Sequence, residues 1–405
     1  MDRLKHPCQI PTALTLAMLT GACYSPTFPP GLLCTAGTRE CPGEQICAID
    51  NRCYDDVIWP YRKAITVKGR SEAVTDFTLA IFSDRDPDLV GQLGDDFRLQ
   101  TDTGDVVPFE LESFNSKTGA FALWTRINLG TADQTLYLYY KGLPQSQSQS
   151  QSSIWPANAR DRAVWHGTVE GNKVIDSTQN HLDATPPPPP PKQAPKQAPE
   201  KAPAMAPGIV GQALELNTES PRLTLAETNL DKIRFGTDSF SYSVWVKVTT
   251  PNNADDEPWA FGGTSSSQAG YKLELGRGKW RAQVADGTDD PRVDFGQFKS
   301  FKDQWTQLVA VVDRSMSSSP KLDIYANGTV VSSNNLSPLE NLSPAAKTQA
   351  YIGGGDSNPF VGLIDELRIT QGTLSAAEIK AQYDNFTNTN SSFFTIGKQE
   401  EQEEN

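Results

Sequence analysis

The chain has 405 residues, with 36 Lys and Arg against 49 Asp and Glu and a formal net charge of −13. Nucleic acid is bound through clustered basic side chains, and no basic patch stands anywhere in this sequence. That partner class is excluded. Six cysteines all fall within the first 53 residues, so no disulfide can staple the remaining chain.

At the N-terminus, Arg3 and Lys5 precede an apolar run from Ala13 to Leu19. The run is too short to span a bilayer and reads as a signal-peptide core. It ends in Thr20-Gly21-Ala22-Cys23, which resembles a bacterial lipobox with Thr20 where Leu is usual. The resemblance implies a signal peptide over 1–22 and a lipidated Cys23 that anchors the chain; an ordinary signal peptide is the alternative. Tyr24, where Asp would favour inner-membrane retention, points to an outer-membrane lipoprotein. In the segment 23–56, Cys34, Cys41, Cys47 and Cys53 follow at spacings of six, five and five intervening residues. Four close cysteines in an exported chain are most simply two disulfides with three connectivities open. Zinc is the alternative, without a Cys-x-x-Cys pair or a nearby histidine to support it.

Short alternating runs fill 57–143. Tyr61 to Val67, Phe77 to Phe82, Gly94 to Leu99, Pro108 to Glu112, Ala122 to Ile127 and Leu136 to Tyr140 are separated by turn-forming residues and predict strands of a small β-sandwich. Glu110 and Glu112 share one strand face, which for neighbouring charges reads as a solvated surface. From the opening Trp59-x-Tyr61-Arg62 to the closing Tyr139-Tyr140-x-Gly142, the set resembles domain-of-unknown-function 2341, a bacterial domain that precedes laminin-G-like modules.

The Gln/Ser-rich stretch 144–156 cannot bury a core and reads as a flexible linker. From 157 to 398 the chain is again strand-like, interrupted by a Pro-rich insertion over 186–207 that reads as a long polyproline surface loop. Phe240, Tyr242, Val244, Val246 and Val248 alternate with more polar residues, as in a two-sheet sandwich. Tyr271 to Leu275 and Trp280 to Val284 flank a hairpin turn at Gly276-Arg277-Gly278. Ser375 caps a short helix with Glu378 three residues on. An acidic tail over 399–405 reads as disordered and solubilising.

Trp305-x-x-Leu308, Leu322-x-Ile324-Tyr325-x-Asn327-Gly328 and Gly362-x-Ile364-Asp365-Glu366-Leu367-Arg368-Ile369 carry a resemblance to LamG-like, concanavalin A-like jelly rolls. The expected fold class is therefore all-β, a small sandwich followed by a jelly roll. Period-two reading puts Leu363, Leu367 and Ile369 on one face together with Asp365. Such jelly rolls often hold a structural Ca²⁺, and the resemblance implies Asp365 as a ligand, with Asp176 and Asn180 as weaker candidates. The other reading has Asp365 accepting hydrogen bonds from buried backbone donors. Trp245, Trp280 and Tyr325 could offer an aromatic face to a sugar, or could be packing. Glu-x-Asp-x-x-Glu, the laminarinase strand, is missing, and the three histidines form no Ser-His-Asp pattern. The expectation is a non-catalytic module binding carbohydrate or a cell-surface protein, with a purely structural envelope component, or an ancillary domain of a polysaccharide-processing system, as the alternatives.

Overall fold

The computed structural model describes residues 32–34, 41–43, 45–47, 53–54, 59–142, 151–187, 202–217, 222–226, 228–249, 256–265, 267–297, 301–315, 319–336, 341–345, 348–354 and 360–401. The signal peptide over 1–22, Cys23 and residues 188–201 of the Pro-rich tract lie outside them. No helix among the described residues is long and apolar enough to cross a membrane. The chain divides into two compact units, 1–57 and 58–405.

In the first unit, the two-residue strands Ile46–Cys47 and Cys53–Tyr54 pair antiparallel with Cys47 opposite Cys53. Cys41 and Cys53 form a disulfide with Cα atoms 5.6 Å apart, and Cys34 is disulfide-bonded as well. A bridged Cys41–Cys53 pair leaves no thiolates there for the zinc alternative.

The second unit is all-β apart from short helical segments. Its first part is a sandwich of a five-stranded and a three-stranded sheet. Tyr61–Val67 lies beside Gln134–Tyr140, then Arg98–Thr101 and Val106–Val107 follow, while Val74–Ser83, Ala120–Leu129 and Phe109–Asn115 form the facing sheet. The fifth strand comes from the opposite end of the chain: Phe394–Glu401 pairs antiparallel with Tyr61–Val67. The expected acidic tail therefore begins as sheet, because Gln399, Glu400 and Glu401 lie opposite Lys63, Arg62 and Tyr61. Arg62 donates to Glu400 at 2.8 Å. Phe393 and Phe394 join Ile65, Phe77, Leu79 and Leu138 in the core between these sheets.

The larger sandwich packs an eight-stranded against a nine-stranded sheet. Phe240–Val248 runs between Thr306–Asp313 and Gly362–Gln371 at the centre of the first sheet. Its residues Phe240, Tyr242, Val244, Val246 and Val248 all enter the intersheet core, as the alternation predicts. In the second sheet Gly276 pairs with Lys279 across a two-residue turn. Arg277 and Gly278 there have φ of 49° and 76°, the double positive φ of a type I′ hairpin. The Pro-rich tract is not loop to its end, since Ala204–Pro207 is the edge strand of the eight-stranded sheet, paired with Gln212–Leu216. Proline is tolerated at an edge because no neighbour there needs its N–H. The turn between these strands is Gly208 to Gly211.

Two elements weld the sandwiches together. The end of the presumed linker is a helical turn, Gln151–Ile154, and Ile154 and Trp155 are buried with Ala80, Trp124, Val164, Trp245 and Phe386 in a core at the junction. The capped helix runs further than expected, over Ala376–Thr387, with Ser375 Oγ accepting from Glu378 N–H at 3.1 Å. It faces three cores at once, through Ile379, Ala381 and Phe386. Its Asn385 side chain, fully buried, accepts from Ala80 N–H at 2.8 Å and donates to Ala80 C=O at 2.9 Å.

Candidate functional site

The central strand Gly362–Gln371 departs from period two. Ser243 pairs with Arg368 and Trp245 with Asp365, so Glu366 and Leu367 together oppose Val244. Glu366 takes φ 49°, a bulge that resets the alternation. Ile364, Leu367 and Ile369 enter the intersheet core, while Leu363 is only partly buried. Asp365, Glu366 and Arg368 turn to the other face, which the small sandwich covers. Asp365 thus does not share the apolar face with Leu367 and Ile369.

Asp365 Oδ2 accepts from Ile209 N–H at 2.7 Å and Val210 N–H at 3.3 Å, and Oδ1 from Glu366 N–H at 2.8 Å. Asp176 is held likewise by Val164, Thr178 and Leu182 N–H at 2.8 to 3.0 Å, and Asn180 Nδ2 donates to Arg162 C=O. A calcium shell needs six to eight oxygens turned toward the ion, whereas both carboxylates are turned toward N–H donors. The three residues do not fit such a shell, and the backbone reading describes what Asp365 does. The proposed sugar platform is equally absent from the surface: Trp245, Trp280 and Tyr325 are 2%, 1% and 8% exposed. Trp280 is in the intersheet core, Trp245 stacks on Tyr383 at 5.8 Å, and Tyr325 packs with Leu374 and Ile379.

Glu110 and Glu112 are not a solvated surface. A register shift at Glu112 leaves both carboxylates against the larger sandwich. Glu110 accepts from Trp155 Nε1 and, at 2.8 Å, from Ser177 Oγ. Glu112 accepts from Trp124 Nε1 at 2.8 Å and Gln212 N–H at 2.9 Å. Beneath them His166, 1% exposed, shares a hydrogen bond of 2.6 Å between Nδ1 and Glu366 Oε1. Arg368 donates to Glu366 Oε2 at 2.7 Å and lies over the Trp124 ring at 4.8 Å. Burial pushes the Glu366 carboxyl up, but His166 and Arg368 outweigh it and hold it below the usual range. Glu112 and Asp365 are driven well above theirs, by burial first and then by the Glu366 charge.

Above this network, a cleft of about 850 Å³ opens between Phe109–Glu112 and residues 168–183. Five carboxylates line it, Glu110, Glu112, Glu170, Asp176 and Asp183, beside Ser177, Thr178 and Gln179. Among the described lining residues there is no Lys or Arg. The cleft was not foreseen, because its walls lie far apart in sequence and meet only through the junction; the paired Glu110 and Glu112 were its one signal.

Residues 219–380 match the family model for the concanavalin A-like lectin/glucanases superfamily, Laminin_G_3. No curated protein matches the chain in sequence. Similar solved structures include the binding domain of Paraclostridial Mosquitocidal Protein 1, at 14% identity and TM-score 0.42 over 55% of this chain and 51% of that one. The botulinum neurotoxin serotype D ligand binding domain in complex with N-acetylneuraminic acid aligns at 14% identity and TM-score 0.41, over 58% and 52% of the two chains. The botulinum neurotoxin serotype G binding domain aligns at 17% identity and TM-score 0.40, over 56% and 50%. The chain thus spans about half the length of each.

Proposed function

We propose that this chain is a non-catalytic binding module, lipid-anchored through Cys23 in the outer membrane, whose cleft between the two sandwiches takes carbohydrate. The observation that carries this reading is the lining of that cleft, carboxylates with hydroxyl and amide groups and one histidine, His181, and, among the described residues, no Lys or Arg. Such a lining accepts hydrogen bonds from sugar hydroxyls or an amino group, and it repels uronic and sialic acids. The superfamily match over 219–380 supports a binding role.

A glycan array probed with the mature chain, made soluble by Cys23→Ser, tests this. Neutral or amino sugars are expected to bind and acidic ones to be excluded. Glu170→Gln, at an exposed cleft residue, should weaken binding. An array without hits would leave the structural envelope role, and binding indifferent to Glu170→Gln would place the ligand elsewhere.

A further inference from the structure

His166 is buried between two carboxylates that belong to different sandwiches. Its Nδ1 faces Glu366 Oε1 of the larger sandwich at 2.6 Å, and its Nε2 faces Glu110 Oε2 of the smaller one at 3.7 Å. The ring is 1% and the Glu110 side chain 12% exposed, so neither contact is screened as a surface pair would be. Nε2 makes no hydrogen bond. What it holds, a proton or a lone pair, decides whether Glu110 is attracted or repelled.

Three protonation states are open to an imidazole, and the two carboxylates choose among them. A neutral ring with its proton on Nε2 turns a lone pair toward Glu366 at 2.6 Å, a separation that needs a hydrogen between the atoms. A neutral ring with its proton on Nδ1 turns a lone pair toward Glu110. Only the imidazolium presents an N–H to both. The surroundings favour the charged ring as well. Trp124, from the smaller sandwich, stacks on it with centroids 4.6 Å apart and planes 19° from parallel, within cation–π range. Glu366 lies below the usual carboxylate range because His166 and Arg368 outweigh its burial. The ionisable groups around the ring are Glu366 and Arg368, with Asp365 beside them, from Gly362–Gln371, and Glu110 and Glu112 from Phe109–Asn115. Glu112 and Asp365 are themselves driven above their usual range, so the stability of the whole chain is too coarse a measure of His166, and the imidazole itself must be read.

We propose that His166 is a proton-operated bridge across the seam. As an imidazolium it ties Glu366 of the larger sandwich to Glu110 of the smaller one, and on losing its Nε2 proton it releases Glu110, which lines the cleft. A lone pair then opposes the Glu110 carboxylate, and attraction turns to repulsion. The bridge is therefore complete on the acid side and is lost as pH rises through the release of that proton. It acts on the seam itself and does not depend on which ligand the cleft takes.

The test uses the mature chain with Cys23→Ser, which retains two of the three histidines, His166 and His181. Nitrogen NMR of the histidine-labelled protein reads both rings, and His181→Gln, at an exposed residue, assigns them. At about pH 6 both nitrogens of His166 should carry hydrogen, and as pH rises Nε2 alone should pass to the lone-pair resonance while Nδ1 keeps its proton. Glu110→Gln removes one end of the bridge and keeps an acceptor for Trp155 and Ser177. It should bring the release of the Nε2 proton forward by about one pH unit. The lead of wild type over this variant in thermal midpoint should shrink between about pH 6 and about pH 9. A lone-pair Nε2 at about pH 6 in the wild type would overturn the bridge without any variant. So would a proton release unmoved by Glu110→Gln, or a midpoint gap that stays constant with pH. All three readings are made without glycan, so failure here and failure of the glycan array are distinguishable.

Discussion

At the scale of single residues, the buried carboxylates decide how the protein responds to acid. Asp176 is 2% exposed, and burial pushes its carboxyl up to about 6 despite the N–H groups of Val164, Thr178 and Leu182 that pull it down. Between about pH 4 and 6 the folded chain therefore holds a proton that the unfolded chain has released, so this group's contribution to stability falls as pH rises across that window. Asp176→Asn removes the titration. Urea unfolding should show wild type losing about 2 kcal/mol relative to the variant from pH 4 to 6, and a difference flat with pH would mean that the backbone donors win. Residue placement was the least legible part of the sequence. Period-two reading put Asp365 on the core face because nothing in Ile364-Asp365-Glu366-Leu367 marks a bulge, and Glu366 is not a residue that favours positive φ. His166 and Glu366 are 200 residues apart, so no local pattern could join them.

Elements were read far better than their partners. Tyr61–Val67 and Phe240–Val248 stand where alternation puts them, since one face of each meets a core and polar residues mark the other. The helix cap at Ser375 was equally plain. Phe394–Glu401 was missed as a partner because its last residues, Gln399 to Glu401, look like solvated tail, and pairing with a strand more than 300 residues away leaves no trace in local sequence. That strand carries a testable consequence. Ending the chain at Ser391 removes Phe393 and Phe394, 0% and 1% exposed, and strips an edge from the five-stranded sheet. Loss of two buried aromatics costs about 3–5 kcal/mol each. The shortened chain should bind a hydrophobic dye and lose near-ultraviolet circular dichroism from the small sandwich, whereas ending it at Glu401 should change neither. The Arg62–Glu400 pair adds little to this, being 31% and 45% exposed at the side chains. A chain ending at Ser391 with native spectra would show that the small sandwich closes without its fifth strand.

For the whole molecule, the order of domains along the chain misstates how it is held together. Chain order suggests a small sandwich and a large one on a flexible spacer, yet three contacts bind them as one body: the terminal strand, the helix Ala376–Thr387, and the core around Trp124, Trp155 and Trp245. Arg126 extends the seam, bonding Asp76 at 2.8 Å on its own sandwich and Asp161 on the other. Its guanidinium is 14% exposed, so these pairs are less screened than surface ones. The cleft exists only while the seam is closed, which ties the proposed binding to the same contacts. A protease site placed within 144–150 tests the seam directly, because cutting there removes the covalent link between the two sandwiches. If the three contacts carry the association, the nicked chain should elute from size exclusion as one species of unchanged size and melt in one calorimetric transition, and the fragments should part only in denaturant. Fragments that separate in native buffer would show instead that the small sandwich borrows its terminal strand only while the spacer keeps it at high local concentration.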